Sequence, residues 1–442
     1  MSRVLVTDGE QRAALAVVRS LGRAGHRVHV LASRPRSLAG ASRYAFRAAT
    51  APDPLASADA FVDAVARRVR EWGIDIVVPI AEPSILALLA ARHRLGDATL
   101  PFPDLEVFRA LSDKQLVLAV AADMGILTPE QRALSRPDQD PRTVAEGIGY
   151  PLVIKPYRSV AGDGARGHKL EVRHAANADE LVERVREYPP AAFPLLLQQR
   201  IVGPGVGVFL LVWEGRLRAV FAHKRLREKP PAGGVSVYCE SVAPPWGLVG
   251  SARALLERFG WSGVAMVEFK VDAGSGLPYL MEVNPRFWGS LQLAIDAGVD
   301  FPALLVRAAS GAPTGPPPIY RPGNRLRWGW GDVDHLIARL RRSPEELALP
   351  DGAPTRWTAL LDFLLWRPGD RLCTLRLEDP VPFLCETINW FLGRYESAQP
   401  AASAPDQPAI SRVETLPRVA PSPPASRPPT PSPRPPPGRE GP

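Results

Sequence analysis

Glu268 and Glu282 stand in two apolar, strand-like runs, VAMVEFKVD and LPYLMEVN, joined by a turn-rich segment at 272–277. A hairpin centred on Ser275 sets the two carboxylates opposite each other on one face. Two-residue steps carry Asn284 onto that face, and Arg286 too while the strand lasts, with Pro285 bending the chain between them. Directly opposed carboxylates repel and destabilise a sheet. A divalent cation between them removes the repulsion. Two Glu and one Asn form an all-oxygen set, which suits a hard ion such as magnesium that also takes phosphate oxygens. Arg286 beside them offers a planar fork for a phosphate or a developing acyl phosphate. The alternative is a solvated pair of acids in another register.

A second constellation is the loop Gly162-Asp163-Gly164-Ala165-Arg166-Gly167, formally GxGxxG. A dinucleotide fingerprint lies between a strand and a helix. Here both flanks, PLVIKPY and HKLEVR, read as strands. That context suits a flap whose bare backbone N–H groups close over phosphates, against the plainer reading of a surface hairpin. Lys155 lies just before it, beside Leu152, Val153 and Ile154. An ammonium in such surroundings calls for an anionic partner unless it points to solvent. The run His223–Lys229, with Arg225 and Arg227, is dense in cations and is followed by Pro230, Pro231, Gly233 and Gly234. It reads as a mobile loop for an anionic substrate or, more plainly, as a solvated charged turn.

The elements that must position these residues follow from periodicity. Residues 3–8 read as a buried strand, a helical segment follows through Leu21, and HRVHVLAS after Gly25 reads as the next strand. DAFVDAVARRVREWG and DIVVPIAE repeat the alternation, so residues 1–110 are expected to form an α/β domain with a parallel sheet. After its first strand the sequence is Thr7-Asp8-Gly9-Glu10, without a glycine fingerprint, so dinucleotide binding there is not expected. Short strands and helices with several hairpins then indicate an α+β unit. Residues 313–318 are Pro-rich and mark a boundary before a Trp-containing, mostly helical extension to about 396, expected to pack on the body as an appendage. From 397 the chain is mainly Pro, Ser, Ala and Arg and is expected to be disordered.

Composition narrows the function classes. The net charge of +8 is spread without a basic block, so nucleic-acid binding is not expected. Cys239, Cys373 and Cys385 form no metal or disulfide spacing, and a reducing compartment fits them. The N-terminal residues do not read as a signal peptide, and no apolar run reaches about 18 residues, so a cytoplasmic location without a membrane span is expected. Lysine occurs only at 114, 155, 169, 224, 229 and 270, against a large number of Arg. Each is therefore a candidate for a position that wants a compact ammonium.

Taken in order, Asp113-Lys114 before a helix, Ile154-Lys155-Pro156, the glycine loop, a QxxIxG-like strand end at 198–203, MVEFK at 266–270 and MEVNPRFWGS at 281–290 resemble the ATP-grasp superfamily, of the carboxylate–amine ligase type. The resemblance runs from the first strand to about Ala312. It implies a pre-ATP-grasp Rossmann-like domain at 1–110 and a two-lobed ATP-grasp domain at 111–312, with its glycine flap at 159–168. It implies ATP and magnesium, or manganese in its place, as cofactors. Lys114 and Lys155 would contact phosphates, Gly162, Gly164 and Gly167 would lie in the flap, and Gln198, Gln199 and Ile201 would form the adenine hinge. Glu268, Glu282 and Asn284 would hold the metal, Arg286 would steady the transferred phosphoryl group, and Arg225 and Arg227 would meet the substrate. The expected reaction activates a small carboxylate as an acyl phosphate and couples it to an amine or other nucleophile, in a chain that can form a homodimer. The alternatives are a phosphotransferase on the same fold and a non-catalytic ATP-binding sensor that recruits a partner.

Overall fold

A computed structural model describes residues 1–156, 160–161, 168–169, 172–350 and 352–393. The flap glycines Gly162, Gly164 and Gly167 and the Pro-rich tail lie outside the described residues. Three sheets carry the architecture. In the first, strands β1 (Arg3–Val6), β2 (Arg27–Ala32), β3 (Ala45–Thr50) and β4 (Ile76–Val78) are all parallel, in the order β3-β2-β1-β4. β1, β2 and β4 are nearly continuous apolar runs, as expected where helices cover both faces. The edge strand β3, AFRAAT, is mostly exposed. It lacks an apolar pattern, and periodicity alone does not reveal it.

The second sheet contains β5 (Gln131–Leu134), β6 (Leu152–Pro156), β9 (Arg173–Ala175) and β10 (Leu195–Gln199), ordered β5-β10-β6-β9 and antiparallel throughout. Between β6 and β9, the dipeptides β7 (Val160–Ala161) and β8 (His168–Lys169) pair antiparallel on either side of the glycines. This lobe has a small core of its own, including Leu134, Ile154, Leu181 and Leu197.

The third sheet is the largest. It contains β11 (Gly205–Trp213), β12 (Arg216–Lys229), β13 (Val235–Ser241), β14 (Gly263–Val271), β15 (Pro278–Asn284), β16 (Arg325–Arg327) and β17 (Asp370–Leu372). Their order is β15-β14-β11-β12-β13-β16-β17, and only the β16–β17 pair is parallel. Leu5, Val77 and Ile85 of the N-terminal layer share one apolar core with Val267, Phe269 and Leu280. The first and third sheets are therefore packed together, and the second sheet is built on separate apolar contacts.

Two features differ from the reading of the sequence. The cation-dense run at 223–229 is the end of β12, not a loop or turn. Its cations have acidic neighbours: Lys224 meets Glu240 at 2.9 Å, Arg225 meets Glu228 at 2.8 Å, Arg227 meets Asp332 at 2.6 Å, and Lys229 meets Asp334. These acids stabilise in a sheet a run that would repel itself alone. The C-terminal extension is also more than an appendage. Besides the helices Gly329–Arg341, Arg356–Leu364 and Val381–Phe391, it contributes β16 and β17 to the large sheet. Among the described residues no helix is long and apolar enough to cross a membrane.

Gly203 ends the stretch that follows β10. Its φ is +153°, and a Cβ there would lie 1.9 Å from the Val271 carbonyl oxygen. Flanking bonds fix this approach: Ala273 N donates to Val202 O at 2.8 Å and Val271 N to Pro204 O at 3.1 Å. The glycine of the QxxIxG-like end thus lets two backbones touch where the lobes join. Gly203→Ala is expected to lower stability by at least about 2 kcal/mol, read as an earlier urea midpoint.

Candidate active site

The hairpin β14–β15 pairs Glu268 with Glu282 and Met266 with Asn284. Nearer the turn the pairing is Phe269 with Leu280, so Met281 is an extra residue in a bulge. Without that bulge Glu268 would face Met281, and Glu282 would turn to the other side of the sheet. The irregularity is what brings both carboxylates to one face.

Each acid then meets a cation. Glu282 Oε2 is 2.9 Å from Lys114 Nζ, and its Oε1 accepts from Asn284 Nδ2 at 2.8 Å. Lys114 is delivered by the helix Lys114–Asp123, which starts there because Asp113 Oδ1 accepts from Gln115 N at 2.9 Å and Leu116 N at 3.0 Å. Glu268 is buried and is held by Arg225, whose other terminal nitrogen donates to Glu228 Oε1 at 2.8 Å and Gly234 O at 3.0 Å. Arg286 donates to Asn284 Oδ1 at 3.0 Å and to Phe287 O at 3.1 Å.

The two acids have opposite electrostatics. Burial pushes Glu268 up, with Arg225 opposing and Glu282 and Glu228 adding to the rise. Burial would also raise Glu282, but Lys114, Asn284 and Lys155 together hold it well below the usual carboxylate range. Two carboxylates and one amide oxygen on one face would suit a hard divalent ion. The Nε atoms of Arg286 and Arg225 are buried without a hydrogen-bond partner among the described residues, consistent with a site shaped for an anion.

On the facing lobe, Lys155 Nζ donates to Gln198 Oε1 at 2.7 Å, and Gln198 Nε2 donates to Gln131 Oε1 at 3.0 Å. Burial, and then repulsion from Lys114, lower Lys155 to about 8. Ile201 is buried, and its carbonyl accepts from Lys270 Nζ at 3.5 Å. Gln199 accepts from Glu130 N at 3.3 Å on an exposed edge.

The structure therefore brings together Lys114, Lys155, Arg225, Glu268, Glu282, Asn284 and Arg286. It does not bring Arg227 to them. Register shifts in β12 on either side of Arg227 turn it to Asp332 and Asp362, both at 2.6 Å.

A family model described as "ATP-grasp in the biosynthetic pathway with Ter operon" matches residues 192–329. Among solved structures, the chain resembles L-amino acid ligase from Bacillus licheniformis, with TM-score 0.57 and 20% identity over 74% of this chain and 78% of that one. It also resembles the ADP complex of an N5-carboxyaminoimidazole ribonucleotide synthetase, with TM-score 0.57 and 15% identity over 77% and 85% of the two chains. This chain has the ATP-grasp fold. The methylcrotonoyl-CoA carboxylase alpha subunit of Arabidopsis thaliana is 27% identical over 228 residues, covering 48% of the ATP-grasp chain and 30% of the plant subunit. The ATP-grasp chain thus spans under a third of that curated relative.

Two residues beside the candidate site escaped the sequence reading. Glu82 opens the helix Glu82–Ala90 and lies within electrostatic reach of Arg286, Lys114 and Glu282. Its position just after the strand of DIVVPIAE was a usable signal, because ligands of open α/β sheets bind beyond the carboxyl ends of strands. Gln131 shares Gln198 through a strand pairing that has no signature in sequence.

Proposed function

We propose that this chain uses magnesium ATP to convert a small-molecule carboxylate into an acyl phosphate and joins it to an amine. The observation that carries this reading is the convergence of Glu268, Glu282 and Asn284 with Lys114, Lys155 and Arg286. In the first step a carboxylate oxygen attacks the γ-phosphorus and the bond to ADP breaks. In the second the amine nitrogen attacks the acyl carbon, loses a proton and expels phosphate. Lys114 and Lys155 bind phosphate oxygens, and Arg286 faces the charge on the transferred group. Glu268, Glu282 and Asn284 would hold magnesium, which when bound supplies positive charge to the phosphates. Positioning and charge complementarity suffice, so no nucleophilic side chain is needed. In this reading residues 1–110, 111–312 and 313–396 are the pre-ATP-grasp domain, the ATP-grasp domain and the extension. The fold shared with an L-amino acid ligase supports it.

The test is release of ADP and phosphate from magnesium ATP with pooled amino acids, small carboxylates and amines. Stimulated release of both is the expected result. ADP without phosphate would mark a phosphotransferase, and ATP binding without release would mark a non-catalytic binding protein.

Lys155 gives this reading a pH signature. Its pKa of about 8 means that it carries a charge below that pH and loses it above. Affinity for magnesium ATP is therefore expected to be full near pH 7 and to fall as pH rises through about 8, by roughly tenfold or more. Lys155→Arg, which stays charged, is expected to flatten the profile. Calorimetric titration between pH 7 and 9 checks it.

A further inference from the structure

We propose that the helices Arg356–Leu364 and Val381–Phe391 form a docking face for a second copy of this chain, so that the protein assembles as a two-fold dimer through its C-terminal extension. None of the residues of that face belongs to the candidate active site, so the dimer is independent of the ligase reading.

Among the described residues 23 large apolar side chains are exposed, and eleven of them fall between Trp357 and Leu392. Single apolar residues scattered on a surface need no explanation, but such a concentration marks an interaction surface. Their spacing is regular. Trp357, Leu361 and Leu364 recur at steps of four and three, and Val381, Leu384, Ile388 and Phe391 at steps of three, four and three. Such steps set the side chains along one stripe of each helix. In the first helix no residue is buried, and Trp357, Leu361 and Leu364 are 68%, 68% and 66% exposed. In the second only Pro382 and Glu386 are buried. Its opposite side is the one that holds it to the body: Glu386 Oε1 accepts from Trp328 Nε1 at 2.9 Å, Thr387 Oγ1 accepts from Trp330 Nε1 at 3.0 Å, and Trp390 Nε1 donates to Asp334 Oδ1 at 3.0 Å. The helix is thus anchored through its polar side, and its apolar stripe is left in water. Phe363 and Trp366, in and just after the first helix, and Phe383, in the second, line one apolar hollow of about 190 Å³. The two helices therefore flank a single surface with a seat for an apolar side chain.

Spacing, charge and size decide what covers this face. A bilayer takes apolar residues accompanied by an excess of Lys and Arg. Residues 356–392 contain four Arg and five Asp or Glu, so that excess is missing. Stripes with steps of three and four instead pack against other helices. The same face of a second copy supplies such helices, and a two-fold axis sets each stripe against an apolar counterpart without any need for charge complementarity. The eleven side chains leave on the order of 1,000 Å² of surface in water, against roughly 800 Å² that a stable interface takes from each partner.

The test is sedimentation velocity of the full chain between about 0.1 and 50 μM, a range that brackets the Kd of roughly 1 μM or tighter expected of an interface of this size. The expected result is a monomer–dimer equilibrium. Leu361→Glu with Ile388→Glu should weaken it by at least about 100-fold, because each charge enters the two-fold interface twice, and should leave the thermal melt of the monomer unchanged. Leu384→Ser with Phe391→Ser, a milder change, gives the same reading if the charged pair does not fold. Leu55→Glu, at an exposed leucine between β3 and β4, should leave the dimer intact. A dimer that survives both face variants places the interface elsewhere and overturns the proposal. A monomer at every concentration overturns it as well. Co-sedimentation of that monomer with phosphatidylcholine vesicles would then assign the face to lipid, and its absence to another protein or to the residues beyond 393.

Discussion

Glu282→Gln reduces ADP release by at least about 100- to 1,000-fold while the protein stays folded. The substitution keeps the shape of the side chain and removes only its charge. In the wild type that charge is shared between Lys114 Nζ, at 2.9 Å, and Asn284 Nδ2, at 2.8 Å, and it faces Glu268 across the hairpin. Its loss removes one of two carboxylates available to a divalent ion and leaves Lys114 without its ionic partner. Stability should change little, because the Lys114 side chain is 52% exposed and an ion pair of that kind contributes at most about 1 kcal/mol. The check is ADP release with the stimulating pool, beside a thermal melt of the same preparation. Turnover at the wild-type rate in a folded Glu282→Gln protein would refute the metal assignment.

Arg19→Ala is expected to lower the unfolding free energy by about 3–5 kcal/mol. Arg19 and Asp379 have side chains 0% and 1% exposed and meet at 2.8 Å. Arg19 also donates to Thr374 O at 2.9 Å and to Asp379 O at 2.8 Å. Asp379 in turn accepts from Ser42 Oγ at 2.7 Å and Arg43 N at 2.9 Å. With them, the Arg19–Asp379 pair is among the bonds by which the N-terminal layer holds the C-terminal extension. Removing the cation leaves a buried carboxylate without its counter-charge and opens a hole the size of a guanidinium. Urea unfolding measures the effect. The paired change Arg19→Met with Asp379→Leu should recover most of the loss, since it removes the penalty of the stranded charge. A single variant as stable as the wild type would show that the extension is held by other contacts.

What the sequence determined by itself was local. The alternation of apolar runs was enough for β1, β2 and β4 of the parallel layer, for β11 and for the β14–β15 hairpin, because burial on one or both faces imposes a period that needs no partner to be seen. The Asp113-Lys114 dipeptide was equally legible, since a cap and the residue it orients are adjacent in the chain. The pairing of Glu268 with Glu282 was read correctly, yet by a symmetric hairpin. The real turn lies half a residue earlier, and the bulge at Met281 restores the register. Such a bulge is set by how the edge strand pairs with β14 and packs on its surroundings, and no residue type announces it.

Tertiary structure decided the rest. The run at 223–229 reads as a self-repelling charged segment until Glu240, Asp332 and Asp334, distant in sequence, are placed beside it. Arg225 and Arg227 look equivalent as residues, but the register shifts in β12 send one to Glu268 and the other to Asp332 and Asp362. Glu82 is a lone acid after a strand until the first and third sheets pack and set it near Arg286. In each case the deciding energy is an electrostatic or packing contact between segments far apart in the chain, which residue type and local periodicity do not encode.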